Sequence, residues 1–259
     1  MTDKIKIALV CIAKDEDNYI DEWLKYHLKL GFTDIFVYQN NWRYLGDKTQ
    51  YNNVHWIDFD GEAMQLKAYN NFIDTNYLNY DYAAFYDVDE FLCLKKYKSL
   101  DDFLNDYSSY YGIGVNWRCF GDNGLTNVSD NNYSCIDRFI KCENVLDRHI
   151  KTILNFNLCK NMVHFVNPHF VDASMKYNII IDISKERYIN GPWNYNAIDD
   201  SVQLNHYNSK TLEEFNRKFT RGKADTLKSH PMYNYNINDF YKHNKNDIED
   251  YTLYNFWHN

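Results

Sequence analysis

Asp87 and Asp89 stand two residues apart at the end of an apolar run, Asp81-Tyr-Ala-Ala-Phe-Tyr-Asp87-Val-Asp89-Glu90-Phe91-Leu92. Side chains alternate along a strand, so both carboxylates project to one side if strand geometry continues through them. Two carboxylates so placed repel each other unless something positive lies between them. A divalent cation answers that need, and Mg2+ or Mn2+ would bring substrate phosphates with it. The plain alternative is a solvated acidic turn after a strand, because Asp-x-Asp is short and common.

A second chemical feature lies much later. His206-Tyr-Asn-Ser-Lys210 precedes a stretch carrying Arg217, Lys218, Arg221 and Lys223. At helical spacing Lys218 and Arg221 share a face, as do Arg217 and Arg221. A helix start with lysines and arginines nearby suits phosphate. The competing reading is a solvated helix face, supported at i, i+4 by Glu213 and Glu214. His206 is a candidate third metal ligand, since imidazole joins carboxylates on such cations. A lone histidine is more often a packed polar residue, and the same holds for His164 and His169. Trp117, Phe120 and Trp193 are candidates to stack on a sugar or base, with a core role as the alternative.

These residues need a scaffold. Ile5 to Ala13 is a near-continuous apolar run, as expected of a central strand covered on both faces. The polar break Lys14-Asp15-Glu16-Asp17-Asn18 leads into a helix that Asp17 or Asn18 can cap. Ile20, Trp23, Leu24 and Leu28 keep its helical spacing, and Gly31 closes it. Strands are expected at 34–39 and 54–58, a helix at 62–77, and then the acidic stretch. This alternation builds a parallel sheet with helices on its faces. Ser99-Leu-Asp-Asp102 is a capping box for a short helix. After it the pattern turns β-like at 112–117, 134–140 and 150–154, and 155–200 reads as short strands and loops. Thr211-Leu-Glu-Glu214 is a second capping box, with Leu212, Phe215 and Phe219 on the buried face. Open α/β sheets bind ligands beyond the carboxyl ends of their strands, where the acidic pair falls.

The 259 residues suit one sizeable α/β domain with or without an appendage. The net charge of −8 lacks the basic footprint of a general nucleic-acid binder. The six cysteines show no CxxC pair or metal-ligand spacing, which suits reduced thiols in a cytoplasmic protein. The N-terminus has no signal-peptide pattern, and no stretch approaches a transmembrane length. Asn127-Val-Ser129 and Asn132-Tyr-Ser134 match the glycosylation acceptor pattern by chance on this reading.

Several short segments, in order, resemble family 92 and related family 2-like glycosyltransferases of the GT-A fold. They are Cys11-Ile-Ala-Lys-Asp-Glu16 with Tyr19-Ile-Asp-Glu-Trp-Leu24 and Tyr26-His27, then Gln65 with Ala68-Tyr69-Asn70, and Phe85-Tyr-Asp-Val-Asp-Glu-Phe91. Trp117-Arg-Cys-Phe-Gly121, Lys151-Thr-Ile153 and Pro168-His169 follow. Asn205-His-Tyr207, Lys210-Thr211, Glu214-Phe215, Lys218 and Arg221-Gly222 close the series. The resemblance runs from about residue 8 to about residue 225. It implies a Rossmann-like α/β fold: a mostly parallel central sheet flanked by helices, a mixed β acceptor-side half and a helical C-terminus. Residues 1–230 would form one domain, with 1–92 as the nucleotide-binding half, 93–230 as the acceptor and diphosphate half, and 231–259 as a helical tail.

By the same resemblance, the chain would move a sugar from a nucleotide sugar, with a UDP-hexose favoured, to a glycan or lipid-linked hydroxyl with inversion. Lys14, Asp15, Glu16 and Gln65 would face the nucleotide. Asp87 would meet ribose or metal-bound water, Asp89 and His206 would hold Mn2+ or Mg2+, and Lys210, Lys218 and Arg221 would hold the diphosphate. Trp117, Phe120 and His169 would serve the sugar or acceptor. Asp122, Asp225 and Glu90 are the candidates for the general base. Surface-polysaccharide or glycan assembly, at the cytoplasmic face of a membrane, is the implied setting. Two rivals stand beside this reading. An aspartyl-nucleophile phosphatase also follows a strand with Asp-x-Asp, but wants Thr or Val where Phe91 stands. A non-catalytic carbohydrate-binding module would use the aromatics and has no need of the acidic pair.

Overall fold

The computed structural model describes residues 4–173, 179–197, 200–230 and 236–259. The Phe219 side chain and residues 231–235, both included in the expectations above, lie outside that description.

The first half alternates strand and helix: β1 (Ile7–Ala13), α1 (Ile20–Leu30), β2 (Asp34–Gln39), β3 (Val54–Asp58), α2 (Gln65–Asn76) and β4 (Tyr82–Phe85). β1 pairs in parallel with β2 on one side and β4 on the other, and β2 pairs in parallel with β3. The resulting order β3-β2-β1-β4 reverses direction at β1. That reversal opens a crevice beyond the carboxyl ends of β1 and β4, the usual ligand position in such sheets.

The continuous apolar composition of β1 follows from this placement. Ile7, Leu9, Cys11 and Ala13 pack with Trp23 and Leu24 of α1, while Ala8, Val10 and Ile12 pack with Ala68, Tyr69 and Phe72 of α2. Every β1 side chain is therefore buried, on alternate faces. Gly31 ends α1 with φ at 123°, where its N–H donates to His27 O, so a residue free to adopt positive φ is needed.

The second half is mixed. It runs β5 (Glu90–Leu94), α3 (Leu100–Asp106), β6 (Gly112–Cys119), α4 (Cys135–Arg138), β7 (Lys141–Cys142) and β8 (Ile150–Asn155). After α5 (Phe156–Cys159) come β9 (Val163–Asn167), β10 (Phe170–Ala173), β11 (Ile180–Ile181), β12 (Tyr188–Ile189) and β13 (Val202–His206). The chain ends with α6 (Leu212–Arg221), α7 (Ile237–His243), β14 (Ile248–Glu249) and α8 (Thr252–His258). β8 runs antiparallel between β4 and β6 and so joins the two halves. β13 lies between β5, antiparallel, and β6, parallel. The fold is thus α/β and Rossmann-like, with a parallel sheet flanked by helices and a mixed extension. The tail is helical in α7 and α8 and also adds β14 to β7.

Three local expectations are corrected. Asp17 and Asn18 do not cap α1, whose N-cap is Tyr19 without a side-chain bond. Asp17 instead accepts from Trp42 Nε1 at 2.6 Å and Leu45 N at 3.0 Å, and so pins the loop after β2. The stretch 134–140 is not a strand: Ser134 Oγ accepts from Asp137 N at 3.0 Å, and this cap starts the single helical turn α4. The strand through the acidic stretch stops at Phe85, and Asp87 to Asp89 form a turn before β5 begins at Glu90. Strand alternation therefore does not orient the two aspartates.

Candidate active site

Glu90 shapes the turn that presents the aspartates. Its Oε2 accepts from Asp87 N at 2.8 Å, and its own N–H donates to Asp87 O at 3.0 Å. Each aspartate then finds a different cation. Lys151 of β8 is fully buried, with Nζ 2.8 Å from Asp87 Oδ2 and 3.5 Å from Glu90 Oε2. Gln65 Nε2 donates to Asp87 Oδ1 at 2.7 Å from the first turn of α2. Asp89 Oδ2 lies 2.6 Å from Lys218 Nζ and 3.9 Å from Lys210 Nζ, and its Oδ1 lies 3.7 Å from His206 Nε2. The positive charge that the acidic pair required is supplied in part by these lysines.

Main-chain pairing brings His206 to this place. In β13 it stands opposite Glu90 of β5 and Cys119 of β6, and the next N–H, of Tyr207, donates to Asp89 O at 2.9 Å. Trp117 of β6 lies under the imidazole, with ring centroids 4.1 Å apart. α6 brings Lys218, and its first turn is fixed by a capping box in which Thr211 and Glu214 bond each other. Glu214 is not the solvated carboxylate expected: Arg138 grips it bidentately at 2.7 and 2.9 Å, and Tyr19 OH donates to it at 2.9 Å. Glu213 does make the expected exposed i, i+4 pair with Arg217. Arg221 closes the other end of α6 onto the turn after β1, donating to Lys14 O at 2.6 Å and pairing with Glu16 at 2.6 Å.

The titratable groups divide by surroundings. Burial raises the Asp89 carboxyl, but the ammonium groups of Lys218 and Lys210 outweigh it and hold it far below the usual carboxylate range. Burial pushes Glu90 well above that range, and Lys151 opposes this only in part. Burial also lowers His206 well below an ordinary imidazole, so it is neutral and able to ligate. Its Nδ1 is buried without a hydrogen-bond partner.

A cleft of about 220 Å³ gathers Lys14, Glu16, Gln65, Asp87, Asp89, Trp117, His169, His206, Lys218, Arg221 and Asp225. Asp15 and Lys210 line an adjoining pocket of about 390 Å³ that shares Glu16, Asn208, Lys218 and Arg221 with it. Four candidates lie elsewhere, among them Trp193, which is exposed beside His149 and lines neither pocket. Glu90 is fully buried behind the turn. Phe120 is buried against Tyr207. Asp122 is held by Asn244 and Asn246 of the tail at 2.8 and 3.2 Å, outside the cleft lining. Asp225 alone among the three base candidates lines the cleft.

The site also uses residues to which the sequence pattern gave no role. Lys151 stands behind the turn, outside the cleft lining, although Lys151-Thr-Ile153 is one of the resembling segments. Lys151 has a signal in hindsight: it is a lone charge in a buried strand, where charges occur only when paired. Asn208 accepts from Lys218 Nζ at 2.5 Å, and His243 enters from α7. Nothing local in the sequence marks either.

The donors suit a divalent cation in part. Asp89 Oδ1 and His206 Nε2 are 3.7 Å apart, a separation that one cation can bridge. Carboxylate and imidazole are both ligands Mn2+ accepts, and substrate phosphates complete such a shell. Asp87 does not close with them. Among the described residues, Cys119, Glu143 and Asp147 are the three whose ligand atoms all fall within 4.8 Å of one another. Also among the described residues, no helix is long and apolar enough to cross a membrane.

No family model and no curated protein sequence matches this chain. Solved structures do. The chain is similar to 4-diphosphocytidyl-2C-methyl-D-erythritol synthase of Anaerococcus prevotii at 10% identity and TM-score 0.31, over 61% of this chain and 73% of that one. It is also similar to a protein described as a glucose-1-phosphate thymidylyltransferase of Bacillus anthracis, solved with sucrose, at 10% identity and TM-score 0.31. That match covers 58% of this chain and 72% of the other. The fold assignment rests on the strand order and pairing described above.

Proposed function

We propose that this chain is a glycosyltransferase that moves a sugar, with a UDP-hexose favoured as donor, to a hydroxyl of a glycan or lipid-linked acceptor with inversion. One observation carries the reading: Asp89 is ringed by Lys218, Lys210 and His206 in a cleft at the carboxyl ends of β1 and β4. Such a cluster suits a diphosphate, because its ammonium groups can exchange a carboxylate partner for phosphate oxygens. On this reading the nucleotide lies against Lys14, Glu16 and Gln65, and Asp87 accepts from ribose. Lys218 and Lys210 hold the leaving diphosphate. Arg221 acts chiefly by fastening α6 to the turn after β1.

Asp89 and His206 would hold Mn2+ or Mg2+, which supplies Lewis-acid stabilisation of the leaving diphosphate when bound. Trp117 and His169 flank the sugar. His169 donates through Nδ1 to Ile150 O at 2.9 Å, so its Nε2 is the acceptor face. Asp225 takes the proton from the acceptor hydroxyl as general base. Neither rival explains as much: a binding module has no use for the cations around Asp89, and an aspartyl-nucleophile phosphatase wants Thr or Val where Phe91 stands.

Calorimetry of UDP binding with and without Mn2+, on the unmodified chain and on Asp89→Asn, tests the reading. Expected is metal-dependent binding that Asp89→Asn weakens by about a hundredfold while circular dichroism is unchanged. Metal-independent binding of equal strength in both proteins would refute the site, and absence of binding by any nucleotide or nucleotide sugar would refute the function.

A further inference from the structure

We infer that Cys119, Glu143, Asp147 and His243 form a Zn2+ site that fastens the C-terminal helix α7 to the wall of the cleft. Ligand atoms of the first three lie within 4.8 Å of one another, and His243 Nδ1 lies 4.0 Å from Cys119 Sγ. In a tetrahedral zinc site, bonds of about 2.3 Å to sulfur and 2.0–2.1 Å to nitrogen separate those two atoms by about 3.6 Å. A contraction of a few tenths of an ångström brings that one pair to ligand spacing. His243 is not within 4.8 Å of all three other ligands, so its side chain must swing further toward the carboxylates to complete the set. One thiolate, one imidazole and two carboxylates are a donor combination that favours zinc over Mg2+ or Ca2+.

The four ligands come from different parts of the fold. Cys119 ends β6, Glu143 and Asp147 follow β7, and His243 ends α7. Each is held in place by its surroundings. Glu143 Oε1 accepts from Cys119 N at 2.6 Å, and Asp147 Oδ1 accepts from His149 N and lies 2.6 Å from His149 Nδ1. Ligating carboxylates are commonly fixed by such outer hydrogen bonds. Cys119 is 1% exposed and Glu143 is 7% exposed, so the site is sheltered from bulk water.

The tail approaches this place closely. A Cβ at Gly121 would lie 2.4 Å from Lys245 O, and Asp122 N donates to Asn244 Oδ1 at 2.8 Å. His243 also lines the cleft, with its ring 6.5 Å from that of His206. Zinc here would thus fix a cleft wall that lies far from β1 and β4 in sequence. The inference is independent of the glycosyltransferase reading.

Co2+ titration of the metal-stripped full chain tests it, because thiolate ligation gives a charge-transfer band that carboxylate and imidazole cannot. Expected is one equivalent of Co2+ with that band and tetrahedral d–d absorption, both displaced by Zn2+. Cys119→Ser should remove the band. His243→Gln should weaken binding, read from that band, by about tenfold or more. Circular dichroism checks the fold of each variant. Absence of the band at stoichiometric Co2+, or a titration unaltered in folded His243→Gln, overturns the site.

Discussion

Arg138→Met isolates the interaction that positions α6. The guanidinium and Glu214 are almost fully buried, with side-chain exposures of 6% and 1%, and they meet bidentately at 2.7 and 2.9 Å. Burial raises the Glu214 carboxyl, but the bonds from Arg138 and Thr211 outweigh it and hold it down at about 2. Breaking a buried pair from one side costs about 3–5 kcal/mol, because the remaining charge stays desolvated. Thr211 and Tyr19 still donate to Glu214 in the variant, which favours the lower figure, about 3 kcal/mol. For a chain of this size that lowers Tm by about 6–12 °C. The pH dependence has a definite sign. A carboxylate depressed from 4.5 to about 2 contributes stability above pH 4.5 and loses it as pH falls toward 2. The gap between the unmodified chain and Arg138→Met should therefore be full at pH 7 and narrow below pH 4.5. Urea unfolding at pH 7 and at a series of acid pH values measures it, with Glu214→Gln added to Arg138→Met to remove the orphaned charge. A cost under about 1 kcal/mol at pH 7 with no narrowing in acid would refute the assignment of a desolvated, charge-bearing pair.

Further outcomes follow from the same structure. Lys151→Met should destabilise by about 2 kcal/mol, less than a fully buried pair because Asp87 is 35% exposed; an unchanged urea midpoint would count against it. Asp225→Asn should lower kcat by about 10²–10⁴-fold with donor binding intact, and unimpaired turnover would remove it as the base. His27 is fully buried and pushed down to about 3 by burial, with Nδ1 at 2.9 Å from Trp23 O and Nε2 at 3.5 Å from Leu92 N. The neutral ring suits that donor–acceptor pair, so His27 costs stability as pH falls from 6.5 toward 3. His27→Leu should flatten this limb by up to one proton's slope, about 1.4 kcal/mol per pH unit, in acid-unfolding curves.

Much of the fold is legible in local sequence. The apolar run of β1 marks a strand covered on both faces, because each of its side chains must be apolar to be buried. β2 and β3 fall at 34–39 and 54–58 as their composition predicts, and the Ser99 cap, one-way rather than the expected box, and the Thr211 capping box start α3 and α6 through local hydrogen bonds. Short-range physics fails where a local competitor or a distant partner decides. At 134–140 the serine cap defeats the β-like pattern. At Asp87 and Asp89 the side chain of Glu90 bends the chain into a turn, and strand alternation stops.

By itself, the sequence determined the alternation of the first half, the place of the acidic pair after a strand, and the presence of a late histidine and basic helix. Tertiary structure decided which charges meet. Lys151 reaches Asp87 because β8 lies beside β4, and His206 reaches Asp89 because β13 pairs with both β5 and β6. It also decided that Arg221 closes on Glu16, that Glu214 is buried on Arg138, and that His243 returns from the tail to the cleft. These partners lie far apart along the chain, and their contacts depend on strand order and helix docking. Local propensity and periodicity carry no record of that long-range pairing.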